Sequence, residues 1–446
     1  MNNKINRKSF FSALAFMIFL NSIIVGQSLM DKSKPTADSL SLRSLILQVV
    51  STYPSVKIAE EAIRNADSRI SLAKTGYNPE VDMTASFANL GPVTKLSIPS
   101  FGTFQLYPAN NYSASVNLRQ LIYDFGRTRQ NIELENENKA IGEQTLEQVK
   151  QKLALYTVNN FYTLLYLQAA IKIKDEQIAA LNEHLQYIEK VMATGSATEY
   201  QVLTTKVKIS TIESQKVDLM AAQTAQQAAL NSLLGNDNAG NPVVRNELTV
   251  APPVIQSDSI LSYAYHNRDE VLINEKKVTL AELRYGMTKL QNKPLLSLQA
   301  SGGAKNGYIP YLNRLTPNYV IGMGLRVPLF DGMKNKYYLS QAQSAITTLS
   351  YESEFTKRNI SNEVLESEAL MFAASKKVSQ SELQLKQALK AYSLAETSFN
   401  TGVITNLDLL DANTSVSESS LMLLKARIDY AACVYKLKAA LGERIY

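Results

Sequence analysis

The residues of this chain that most invite a chemical reading are two carboxylates one helical turn apart, Asp408 and Asp411, in the stretch NTGVITNLDLLDAN at 400–413. Three positions apart on a helix, they share a face. Paired acids can pass a proton, attract a cation or repel anions. They can also do nothing more than stabilise the positive end of a helix that restarts after a turn. That plainer role suits their place directly after Thr401, Gly402 and Val403.

Other residues with chemical potential lack company. The two histidines, His184 and His266, lie in helical surroundings without a Cys or His at ligand spacing, and both read as ordinary surface residues. The DFG at 124–126 matches the magnesium tripeptide of protein kinases in letters only, because no phosphate loop, lysine strand or catalytic loop accompanies it. The GMG at 322–324 sits inside a strand pattern, where no phosphate-binding helix begins. No enzyme, cofactor site or metal site is expected.

The bulk numbers exclude little: 446 residues, 45% hydrophobic and 19% charged, are ordinary for a folded protein. The net charge of +6 includes Lys4, Arg7 and Lys8, so the remainder is weakly basic and nucleic acid is not the expected partner. Those three cations precede an apolar run from about Phe10 to Val25, then Gly26 and Ser28, which predicts a secretory signal peptide at 1–28. The single cysteine, Cys433, excludes an intrachain disulfide. No later segment carries 18 unbroken apolar residues, so an exported chain of this kind enters a membrane only as strands.

The elements that position the acids come in duplicate. One offset of 207 positions separates Thr194-Gly195 from Thr401-Gly402, Leu234-Gly235 from Leu441-Gly442, and Asp124 from Asp331. Ile178, Leu181, Leu185, Ile188 and Met192 follow the 3,4 spacing of a coiled-coil seam, and Leu385, Ala388, Tyr392, Ala395 and Phe399 repeat it at that offset. The predicted organisation is a first repeat at 29–235, a linker at 236–257 and a second repeat at 258–446. Each repeat reads as helix, strand, loop, strand, long helix, turn, long helix. The first helix is expected at about 38–76, the strands at about 80–90 and 112–120, then 295–303 and 319–327, and the turns at about 194–200 and 401–406. The strands alternate apolar with small polar residues, as in Val81, Met83, Ala85 and Phe87 against Asp82, Thr84 and Ser86. The stretch from Met333 to Asn400 has neither Gly nor Pro, and that from Arg127 to Met192 has only Gly142, so each predicts a helix on the order of 100 Å. The fold class is mainly α with a small β part. Four strands cannot close a barrel in lipid, so closure requires several copies, and three would supply twelve strands.

These features together resemble the TolC-type outer membrane efflux proteins. The resemblance rests on the export signal, the duplication, the strand-to-helix motifs QLIYDFGR and PLFDGMK, the turns TGSATEYQVL and TGVITNLDLLDA, and the closing ALG; it covers the whole mature chain. It implies a homotrimer whose twelve-stranded barrel crosses the outer membrane and continues as a periplasmic helical tunnel. The implied partners are outer membrane lipid, a periplasmic adaptor and an inner-membrane pump of proton-driven or ABC type. Small-molecule or drug efflux is the first expectation; polypeptide secretion of type I and heavy-metal export are the alternatives, and a soluble exported coiled-coil protein is the rival from another class. By the resemblance Asp408 and Asp411 line the pore aperture. Thr194, Gly195, Ser196, Glu199 and Tyr200, with Thr401, Gly402, Val403, Thr405, Asn406 and Leu407, form the tip turns that dock the adaptor. Asp124, Gly126, Pro328, Asp331 and Gly332 mark the junction of barrel and tunnel. The sequence departs from the family at Phe399 and Ile404, where Tyr and Arg tethers are common, and at Gln201, where an acid is common; Glu199, Tyr200, Lys206 and Asn406 are the substitute tethers available.

Overall fold

The structure is a computed structural model that describes residues 40–235, 241–248, 250–253 and 259–446. The signal peptide expected at 1–28 and part of the expected linker lie outside the described residues. The first repeat begins with helices α1 (Leu42–Thr52) and α2 (Pro54–Lys74), runs through strands β1 (Glu80–Asn89), β2 (Lys95–Ile98), β3 (Gly102–Gln105) and β4 (Asn110–Tyr123), and ends with α3 (Arg127–Ala193) and α4 (Glu199–Leu234). The second contains α5 (Ile260–Asn267), α6 (Asp269–Leu290), β5 (Leu295–Lys305), β6 (Thr316–Arg326), α7 (Lys334–Asn400) and α8 (Asn406–Ala440). The mainly helical, duplicated fold is the one the sequence predicts. α3 and α7 each hold 67 residues, about 100 Å of unbroken helix.

Two features differ from the sequence reading. The helix expected at 38–76 is broken at Tyr53, whose extended backbone (φ −67°, ψ 136°) precedes Pro54 at the first position of α2. Proline is at home there, because its missing N–H would be unpaired anyway. The second repeat breaks at the matching place, Arg268, with φ −73° and ψ 125° and no proline. The loop between β1 and β4 is also not plain loop: β2 and β3 form a small hairpin of their own.

The four long strands make one antiparallel sheet in the order β1-β4-β5-β6, so β1 and β6 are its open edges. The register sorts side chains by face. One face carries apolar rows such as Val81, Leu118, Ala300 and Ile321, or Met83, Val116, Gly302 and Tyr319. The opposite face carries Glu80, Arg119, Gln299 and Gly322, then Thr84, Ser115, Gly303 and Asn318. Hydroxyls and amides on that face bond across strands, as in Ser86 to Ser113 at 2.7 Å and Asn117 Nδ2 donating to Asp82 at 2.9 Å. Among the described residues no helix is long and apolar enough to cross a membrane.

Apolar burial concentrates between the helices. α1 seats Leu45 and Val49 against Val158, Phe161 and Leu164 of α3, Leu230 of α4 and Ala431 of α8. α5 plays the matching part with Ile260 and Ala264 against Ile360 and Val364 of α7 and Leu437 of α8. Each fully buried aliphatic side chain contributes about 1.5–3 kcal/mol. These cores fix the long helices near their middle. Toward the distal turns a smaller cluster, Leu181 of α3 with Ile209 and Ile212 of α4 and Leu410 of α8, takes over.

Candidate functional site

The two turns at the far ends of the helix pairs are copies of each other. Gly195 (φ +77°) and Gly402 (φ +76°) reverse the chain in the left-handed region that only glycine enters freely. Ser196 N–H donates to Val191 C=O at 3.1 Å, and Val403 N–H to Ser398 C=O at 2.9 Å, which satisfies the last turn of α3 and of α7. Thr194 and Thr401 cap those helices. The returning helices start with matching capping boxes. Thr198 N–H donates to Gln201 Oε1 at 3.0 Å; Thr405 N–H donates to Asp408 Oδ2 at 2.8 Å and the Thr405 hydroxyl to the same oxygen at 2.6 Å.

Asp408 is therefore a helix cap, and the hydroxyl and amide of Thr405 hold its carboxyl below the usual carboxylate value. Asp411, one turn on, is exposed, and among the described residues its carboxylate has no hydrogen-bond or ion-pair partner. Ser196 and Glu199 are exposed, and the turns also present apolar surface at Tyr200, Val403 and Leu407.

Asn406 joins the two turns. It is 4% exposed, and its amide donates to the Gln201 carbonyl at 3.3 Å and to the Thr205 hydroxyl at 3.2 Å. Its carbonyl faces His184 Nε2 at 2.6 Å. The ring of His184 meets the edge of Phe399 at 5.3 Å, and Tyr187 meets it at 6.4 Å. His184 is thus no ordinary surface residue, and the sequence reading missed it because its partner lies 222 positions away. Lys206 pairs with Glu189 at 2.9 Å inside the first helix pair and ties nothing across.

At the other end, each strand-to-helix junction turns on a carboxylate. Asp124 is 7% exposed; its Oδ1 accepts from Gly126 N–H at 2.9 Å and its Oδ2 from Thr128 N–H and hydroxyl, each at 2.6 Å. Burial alone would raise this carboxyl, yet the hydrogen bonds hold it below the usual range. Asp331 Oδ2 accepts from Asn292 Nδ2 and from Asn335 N–H, both at 2.9 Å, and these lower its pKa. Gly126 and Gly332 do both have positive φ, but each shares the bend with a neighbour, Phe125 (φ +57°) and Met333 (φ +68°). Pro328, two residues past β6, is half-buried. Arg127, also missed, reaches from the start of α3 to the end of α6 and donates to the carbonyls of Leu290, Gln291 and Lys293 at 2.6–2.8 Å. It satisfies a helix C-terminus belonging to the other repeat. Among the described residues no group of acids, His and Cys could hold a metal ion.

Known proteins resemble this arrangement. Residues 45–236 and 260–443 match the model of a family described as outer membrane efflux protein. The alkaline protease secretion protein AprF of Pseudomonas aeruginosa is 23% identical over 346 residues, which cover 75% of this chain and 70% of AprF. The solvent efflux pump outer membrane protein SrpC of Pseudomonas putida is 24% identical over 310 residues; the match covers 66% of this chain and only 64% of SrpC. Among solved structures CusC shares the fold at a TM-score of 0.76 and 18% identity, over 94% of this chain and 97% of CusC.

Proposed function

The chain belongs to the outer membrane efflux protein family, and from that premise we propose that it works as a homotrimeric channel-tunnel that carries small molecules outward from a periplasmic adaptor and an inner-membrane pump. The observation that carries the reading is the sheet. Its four strands have one mainly apolar and one mainly polar face, leave the outer edges of β1 and β6 open, and run directly into helices about 100 Å long. Open edges are not tolerated in hydrocarbon, whereas three copies joined edge to edge give a closed twelve-stranded wall with lipid outside and a polar lumen inside. In this reading the chain catalyses nothing; it conducts.

The distal turns are the docking end in this reading. Tyr200, Val403 and Leu407 offer the adaptor an apolar surface, with Glu199 and the exposed hydroxyls of Ser196, Thr401 and Thr405 as its polar margin. Three copies of Asp408 and Asp411 around one axis make a ring that favours cations and disfavours anions. The names of the relatives point to two cargo classes, solvents for SrpC and a protease for AprF, so polypeptide secretion is the second reading.

Fractionation and bilayer recording test the proposal together. The mature protein should be recovered in outer membranes, and the purified oligomer should conduct with a reversal potential favouring cations. Asp411→Asn should move that potential toward zero. Recovery as a soluble periplasmic species would sink the channel reading, and an unchanged reversal potential would remove Asp411 from the aperture.

A further inference from the structure

Near the tip the two helix pairs touch along α3 and α8, and polar contacts recur there at heptad spacing. Gln177 Nε2 donates to Asn413 Oδ1 at 3.4 Å, and seven residues on, His184 meets Asn406 at 2.6 Å. Between them lies the apolar cluster of Leu181, Ile209, Ile212 and Leu410. Apolar contact holds the pairs together without specifying how far one slides along the other. A buried amide does specify it, because a shift of one turn would leave its donors and acceptor unpaired.

Asn406 is such an amide, and its orientation is fixed from both sides. Its donors point at Gln201 and Thr205, which turns Oδ1 toward His184. The proton of the contact must then sit on Nε2, as it does in one neutral tautomer and in the imidazolium alike. Asn406 is the first residue of α8, five positions before Asp411 on the same rigid helix. We infer that Asn406, held by His184, is the positioning residue that sets the register of α8 on α3 and thereby the location of Asp411 at the aperture. The inference rests on the aperture role proposed for Asp411. The ring of Phe399, edge to face with His184 at 5.3 Å, braces the imidazole against Asn406.

The test uses the full-length protein reconstituted in planar bilayers. His184→Leu removes the donor and fills the space, whereas His184→Gln keeps an N–H donor. Loss of the contact should move the resting equilibrium toward wider states by about tenfold, ~1.4 kcal/mol, seen as raised single-channel conductance in His184→Leu and in Asn406→Leu. His184→Gln should stay near the parent. In detergent-solubilised protein, amide exchange should quicken at 405–411 and 201–206 in His184→Leu and stay unchanged at 153–165, a local readout independent of oligomer yield. Parent-like conductance and exchange in His184→Leu, or a His184→Gln variant as altered as His184→Leu, would overturn the inference. If Asp411→Asn leaves the reversal potential unchanged while His184→Leu still raises conductance, the aperture reading fails and the register assignment of His184 and Asn406 survives.

Discussion

Gln201 and Asp408 occupy the same position in the two halves of the chain, and each closes a capping box on the threonine three residues before it. The geometry is duplicated and the charge is not. The acid at 408 is thus accounted for as a helix cap, which suits both its hydrogen bonds to Thr405 and the positive end of α8. Of the two acids in the proposed aperture ring, the one whose carboxylate has no partner among the described residues is Asp411.

The cap makes the α8 start sensitive to acid. Thr405 holds the Asp408 carboxyl below its ordinary value of 3.8. Its stabilisation of the α8 start is therefore complete above that pH and is lost as pH falls through the lowered folded value. Asp408→Gln should keep the box, as Gln201 does, and lose this dependence. Protection of the amides at 405–410, relative to their intrinsic exchange at each pH, should fall in the parent below about pH 4 and remain flat in the variant. Equal acid profiles would remove Asp408 from the cap.

The junction acids should differ in weight. Asp124 is buried with both oxygens occupied, and Asp124→Ala strands two amides and a hydroxyl, so it should cost about 1–2 kcal/mol. Asp124→Asn should fare little better, since an amide N–H would face an N–H. Asp331→Ala should be milder, because its carboxylate is more open to water. Thermal unfolding of the three variants ranks them, and an Asp331 effect as large as that of Asp124 would contradict the ordering.

Much of this architecture was legible in the sequence because duplication and strand alternation are patterns of letters. The strand-to-helix bend was legible only in part. Gly126 and Gly332 stand out as glycines, but the offset of 207 that aligns Asp124 with Asp331 pairs Gly126 with Met333 and Phe125 with Gly332. Both positions of each bend have positive φ, and a side chain there gives no sign of its backbone angle. Pro54 was visible, yet the break it marks recurs at Arg268 without a proline, so packing of α1 and α5 into their cores sets the interruption. His184 was unreadable for another reason: its meaning lies in Asn406, which no local window contains.

Those bends carry a third prediction. A side chain in the left-handed region costs about 1 kcal/mol, and Met333 is 54% exposed with little packing to forfeit. Met333→Gly should stabilise the protein by up to about 1 kcal/mol. Phe125→Gly should gain less, because it gives up the edge-to-face contact with Tyr123 at 4.8 Å. Unfolding midpoints of both variants check the order.

The last prediction concerns the sheet, where Gly302 and Gly303 adjoin but face opposite ways. A Cβ on Gly303 would lie 2.1 Å from the Ala114 carbonyl oxygen and 2.7 Å from Ser115 Cα, both backbone atoms of β4 that cannot swing aside. A Cβ on Gly302 would meet nothing within 4 Å. Gly303→Ala must therefore push β4 and β5 apart, at a cost of about 1–3 kcal/mol or more, in the middle of the sheet that forms the wall of the proposed channel. Gly302→Ala adds one methyl to the apolar face and should be silent. The yield of heat-resistant oligomer in outer membranes should drop for Gly303→Ala alone. Equal yields would mean that the β4–β5 pairing is looser than the register from Ser113 and Lys305 to Leu121 and Ser297 requires.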